Sequence, residues 1–208
     1  MRASRTHSWL TAVRRRLPVF LLAAWSAACA SVQTAEPVGG VPLAIEAARV
    51  DGLWAQPERA LRECEPDDRD NVGCLRVFVT DGALGRLAFV NEGGESRQAW
   101  LRCATPEAES CFLTWEDDAD ESGTRSLAWA RARLDEDRLT LWLPRSSPFA
   151  ELVAGGVLPG DVSASSGSQP AVRIESLDEA QIEVVVGYHR WQLFDWEHPV
   201  VLVRVPPR

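Results

Sequence analysis

Residues Gln98–Cys103, QAWLRC, and Cys111–Trp115, CFLTW, decide how this chain folds. Ala99, Leu101 and Cys103 occupy alternate positions in the first run; Cys111, Leu113 and Trp115 do so in the second. Side chains alternate between the two faces of a β-strand, so each run has one apolar face. The intervening Ala-Thr-Pro-Glu-Ala-Glu-Ser lies between these two strand-like runs, and a hairpin there sets Cys103 opposite Cys111 with both apolar sets on one face. Working outward, Leu75, Val77 and Val79 alternate in CLRVFVT, DGALG supplies a turn, and RLAFVN follows. Downstream, SLAWARARL, RLTLWL, AVRIES, QIEVVV and PVVLVRV extend the series to about nine or ten strands. Leu134–Leu139 and Leu177–Ile182 each read as a hairpin tip flanked by inward apolar residues. The fold class expected is all-β, mainly antiparallel, as a barrel or a sandwich.

Helix is confined to short pieces. Pro57 to Arg62 suits a turn or two, with Pro first and Glu58 beside it at the positive end of the helix dipole. Ser147 suits the cap of a second helix, with Pro148 at its first position, Phe149, Leu152 and Val153 inward, and Gly155 ending it. Residues 155–170, rich in Gly, Ser and Pro, read as a long loop. Strand-like segments lie on both sides of it, so residues 43–208 are expected to form a single domain.

Gly52-Leu53-Trp54, near the start of this β-rich body, resembles the G-x-W signature of lipocalins. In that family the Trp packs across the bottom of an eight-stranded barrel, and the resemblance therefore favours a barrel over a sandwich. The chain departs from the pattern directly afterwards, because Pro57 and PERALREC stand where a lipocalin continues its first long strand.

The chain has 208 residues, 30 of them acidic and 22 basic, and every basic residue is Arg. The acidic balance disfavours nucleic-acid binding. Residues 1–28 carry Arg2, Arg5, Arg14, Arg15, Arg16 and no acid, followed by the apolar run LPVFLLAAWSAA. A basic start, a short apolar run and small residues at its end make a secretory signal peptide. Without it the net charge changes from −8 to −13. The run closes Ser26-Ala27-Ala28-Cys29, which resembles the lipobox of bacterial lipoproteins, with Ser26 where Leu is usual. That resemblance implies lipidation of Cys29 with palmitate-type chains, a tether over residues 29–42, and, with Ala rather than Asp at position 30, an outer-membrane lipoprotein facing the periplasm. Ordinary signal cleavage after Ala30, giving a soluble periplasmic or secreted protein, is the alternative.

An oxidising compartment suits the other cysteines, Cys64, Cys74, Cys103 and Cys111. Their spacings miss those of zinc knuckles and of C-x-x-C redox pairs, so two structural disulfides are expected, nearest neighbours being the most economical pairing. No metal or cofactor is expected. Asp118 to Gly123 follows the first half of a calcium loop, but the position of the bidentate Glu is Trp129.

Nine Trp stand against one Tyr, and seven Trp follow the signal. Trp115 shares the apolar face of its strand, whereas Trp100 and Trp142 lie opposite theirs and face solvent or a second layer. With Trp54, they are candidates for ligand or partner contact. So is the segment from Tyr188 to Pro199, which holds His189, Trp191, Trp196 and His198 among carboxylates. No nucleophile motif or phosphate loop accompanies these histidines. The function expected is therefore a non-enzymatic envelope lipoprotein that binds a small apolar ligand or an envelope protein. One rival is a protein-interaction module such as an assembly factor or a hydrolase inhibitor; a more distant one is a hydrolase using the His189/His198 region. A carrier requires a continuous apolar cavity of some hundreds of Å³ lined by several Trp.

Overall fold

The computed structural model describes residues 32–60, 74–90, 94–104, 110–117, 126–164, 169–187 and 190–206. The described chain begins with β1 (Val32–Thr34), β2 (Val41–Pro42), α1 (Ala47–Val50), β3 (Gly52–Ala55), α2 (Pro57–Ala60) and β4 (Cys74–Asp81). There follow β5 (Arg86–Val90), β6 (Ser96–Cys103), β7 (Cys111–Glu116), β8 (Leu127–Asp135) and β9 (Arg138–Trp142). The chain continues through α3 (Ser146–Ala154), β10 (Gly160–Ala164), β11 (Pro170–Ile174), α4 (Glu179–Val186) and α5 (Arg190–Leu193), and ends with β12 (Val200–Arg204).

Eight strands close into an antiparallel barrel in the order β3-β4-β5-β6-β7-β8-β9-β12, with β12 returning to β3. The expected β6–β7 hairpin is present: Cys103 faces Cys111 and is disulfide-bonded to it, and Leu101 faces Leu113. All six alternating residues, Ala99 through Trp115, belong to the core inside the barrel. Cys74 is also disulfide-bonded, and Cys64 lies outside the described residues. The turn at residues 134–139 is a hairpin, with Leu134 paired to Leu139 and Asp135 to Arg138.

One end of the barrel, its base, is plugged by the segment before β3. The Leu43 amide donates to the Leu101 carbonyl at 3.0 Å, and the Ile45 amide to the Gly82 carbonyl at 2.9 Å. Glycine is needed where this strap crosses, because a Cβ on Gly82 would collide with the Ile45 carbonyl and one on Gly85, at φ +61°, with the Leu101 carbonyl. Trp54, 2% exposed, donates its indole N–H to the Val50 carbonyl at 2.8 Å, joining the first barrel strand to α1. Arg204, paired with Trp54 from the last strand, donates to the Ala48 carbonyl at 2.9 Å. First strand, last strand and plug are thus held by two side-chain hydrogen bonds.

A second layer covers the outside of β7 and β8. The start of β8 pairs with β1, which runs parallel to β11, which in turn pairs with β10. Phe112 and Trp129 point outward from the barrel, as strand alternation requires, into a core formed with Phe149 of α3, Ile174 of β11, Val185 of α4 and Phe194. Trp129 meets Phe149 edge-on at 5.4 Å and Phe194 at 5.8 Å. Each such pair adds roughly 0.5–1.5 kcal/mol beyond its area burial.

Several expectations need correction. The tether is structured from Val32 onward: β1 is a strand of the sheet, and Val32 and Val38 are 0% and 2% exposed. Apolar side chains with a core to enter outweigh the Pro and Gly around them. Residues 177–186 are not a hairpin and strand but helix α4. Asp178 accepts from the Gln181 amide while the Gln181 side chain accepts from the Asp178 amide, a reciprocal capping box. Ile182 and Val185, three apart, are the buried pair, whereas a strand would have buried residues two apart. Within the candidate segment from Tyr188 to Pro199, Arg190–Leu193 form helix α5, and the expected loop 155–170 contains β10. α3 begins one residue before Ser147, and Ser147 does not cap it; the Ser146 and Ser147 hydroxyls both donate to the Gln169 side-chain oxygen, at 3.0 and 3.1 Å. α2 is described over Pro57–Ala60, and the rest of the expected Pro57 to Arg62 turn lies outside the described residues. With β1, β2, β3 and β10 added and QIEVVV removed, the described strands number twelve.

Candidate functional site

Closing eight strands whose inward positions are mostly Leu, Val and Ala leaves space along the barrel axis. The structure has an apolar cavity of about 170 Å³ there. All fifteen lining side chains are Leu, Val, Phe or Trp. Val50 of α1 and Trp54 bound it at the plugged base. Half-buried Leu75, Phe89, Leu143 and Val200 form its rim at the opposite end. Each element contributes through strand parity: Leu75 and Val77 from β4, Leu87 and Phe89 from β5, Leu113 and Trp115 from β7, Leu139 and Leu141 from β9.

A water molecule needs two to four polar partners, and this lining offers none, so the space suits an apolar occupant. An apolar cavity of about 150 Å³ in another protein accepts benzene, whereas drug-sized ligands need about 300–1,000 Å³. The cavity is thus smaller than the expected hundreds of Å³. Its size matches one aromatic ring or a short alkyl chain. Two Trp line it, Trp54 and Trp115, rather than several. With no titratable side chain in the lining, the cavity offers retention and not acid–base chemistry.

Of the described residues expected to contact a ligand or partner, Trp54 alone lines the cavity. Trp100 is half-buried on the outward parity of β6, across from Thr114. Trp142, Trp196 and Trp191 come together outside the barrel. Trp196 lies 5.2 Å from each of the other two rings, and the Arg131 guanidinium sits 5.1 Å from the Trp196 centroid. Trp191 is 64% exposed at the end of this row. His198 contacts Asp195 at 3.2 Å within one surface turn, with its side chain 78% exposed. Tyr188, His189, Cys29, Cys64 and the calcium-like loop 118–123 lie outside the described residues. Among the described residues, no three His, Cys, Asp or Glu side chains are grouped to hold a metal, and no helix is long and apolar enough to cross a membrane.

Sequence reasoning did not mark the leucines and valines as a site, because their inward alternation looks the same whether a barrel is filled or hollow. Beside the base lies a wider surface cleft of about 530 Å³, between the strap and the β8–β9 hairpin. It shares Leu101 and Leu134 with the cavity and is edged by Glu46, Arg49, Arg133 and Asp135. Comparison of the chain with family models, with curated proteins and with solved structures gives no match.

Proposed function

We propose that this protein is an envelope lipoprotein whose barrel, lipocalin-like in form, holds a small apolar ligand. The observation that carries this reading is the wholly apolar cavity inside a closed eight-stranded barrel. A void of this size forgoes about 4 kcal/mol of packing at 24 cal/mol per Å³, which an occupant can partly restore. Support for the lipocalin resemblance comes from Trp54 at the plugged base of the first barrel strand. The short β3 and the long insertion between β9 and β12 are departures from it. Titration calorimetry with benzene- to propylbenzene-sized ligands tests the proposal. Saturable binding with a rise in melting temperature supports it; absence of binding across the series overturns it.

The anchor belongs to the same proposal. Cys29 bears the lipid, and the described residues begin three positions later with strand β1 at Val32. Several acyl chains, at about 0.8 kcal/mol per buried CH2, would hold the acidic body beside a membrane whose anionic headgroups repel it. Mass spectrometry of the mature N-terminus distinguishes a lipidated Cys29 from a chain beginning at Ser31.

A protein-interaction module is a second reading, favoured by Trp191, an exposed aromatic backed by Trp196 and Trp142. Crosslinking from position 191 in intact envelopes tests it, and failure to trap a defined partner counts against it.

A further inference from the structure

The strap that plugs the base does not fill it. The cleft of about 530 Å³ beside the strap has a floor of Leu101, Cys111, Ala132 and Leu134, all on the inward face of β6, β7 and β8. The cleft is therefore the lower end of the barrel interior, with Leu43 and Ile45 of the strap as its other wall. Its depth comes from side-chain size: β8 turns Ala128, Ala130 and Ala132 inward before Leu134, and Ala132 pairs with Cys111. Leu101 and Leu134 line both cleft and cavity, so their side chains form the partition between the two. They differ in freedom. Leu101 is 2% exposed, whereas half-buried Leu134 stands just before the turn of the β8–β9 hairpin, with water on one side. Side chains in contact with water change rotamer in picoseconds to nanoseconds. Turned outward, Leu134 joins the two spaces into one that falls within the range of about 300–1,000 Å³ usual for ligand sites. The edge of the cleft is electrically balanced, with Glu46 and Asp135 against Arg49 and Arg133, and Arg133 donates to Asp135 at 3.1 Å. All four are exposed, so a head group beside them keeps its water, and the balance gives a net charge on that head no advantage.

We infer that the cleft is the head-group half of the ligand site: a single-chain amphiphile with a neutral polar head enters past Leu134, its tail along the barrel axis and its head beside the strap. The cavity alone admits one ring or a short alkyl chain, and a longer chain needs the cleft as well. This inference rests on the reading of the cavity as a ligand site.

The test uses octyl glucoside below its micellar concentration, with propylbenzene as the ligand that needs the cavity alone. Calorimetry should show both bound by the unaltered protein. Ala132→Leu fills the cleft floor at a position outside the cavity lining. It should weaken octyl glucoside roughly tenfold, the affinity that about two displaced CH2 groups carry, and leave propylbenzene unchanged. A second measurement needs no variant and decides the matter should A132L not fold. Octyl glucoside with a diazirine on its sugar should, on irradiation, label residues 43–49 or 132–135. Equal binding of octyl glucoside by A132L and the unaltered protein, or label found only outside those segments, overturns the inference. If propylbenzene binds and octyl glucoside does not, the inference fails and the cavity reading stands. If neither binds, the cavity reading has failed and this inference with it.

Discussion

Val77→Phe distinguishes a hollow barrel from a filled one by the sign of its effect. Val77 is 8% exposed, faces the cavity from β4, and lies between Gly52 of β3 and Phe89 of β5 in the register. The cavity that Val77 lines leaves room for a larger side chain. Phe has four more carbons than Val, and at about 0.8 kcal/mol per buried CH2 their full burial would contribute roughly 3 kcal/mol. Lost rotamer freedom and imperfect fit reduce this, so a net gain of about 1 kcal/mol is expected. In an interior already packed, the same substitution costs about 1–3 kcal/mol through strain. Urea denaturation reads the difference as a shift of midpoint at constant m-value. Calorimetry of the same variant should show propylbenzene binding lost, because the ring occupies the ligand's place. A variant destabilised by more than about 1 kcal/mol that still binds propylbenzene would refute the assignment of the void.

Other perturbations probe the frame around that void. Leu113→Ala, at a 7% exposed lining position, should cost about 2–5 kcal/mol in urea denaturation and extend binding to larger ligands. Trp54→Phe leaves the buried Val50 carbonyl without its indole donor; a loss of about 1–3 kcal/mol is expected by thermal denaturation. Replacing Cys103 and Cys111 by Ala opens a short loop and should cost about 2–3 kcal/mol, read from urea midpoints under non-reducing conditions. Asp178→Ala removes the cap of α4 and should cost about 1 kcal/mol, with faster amide exchange in residues 179–182.

The barrel was legible wherever one face of a strand is buried against the interior. Ala99, Leu101, Cys103, Cys111, Leu113 and Trp115 announce their face and even their pairing, because a one-residue slip would expose all of them. Legibility failed at Ile182–Val186, where β-branched residues suggest a strand and a capping box at Asp178–Gln181 starts a helix. That box was readable in the sequence, and it outweighs a propensity of a few tenths of a kcal/mol per residue. Trp142 was legible as a residue facing solvent or a second layer, but no local pattern says that it meets Trp196.

By itself the sequence determined what local chemistry can carry: strand parity, the Cys103–Cys111 hairpin, and a net acidic balance. Tertiary structure decided whether the inward faces meet or leave a gap. Parity fixes the direction a side chain points and says nothing of its distance from the opposite wall. That distance depends on closing eight strands into a ring, and so the apolar space of about 170 Å³ exists only in the closed barrel.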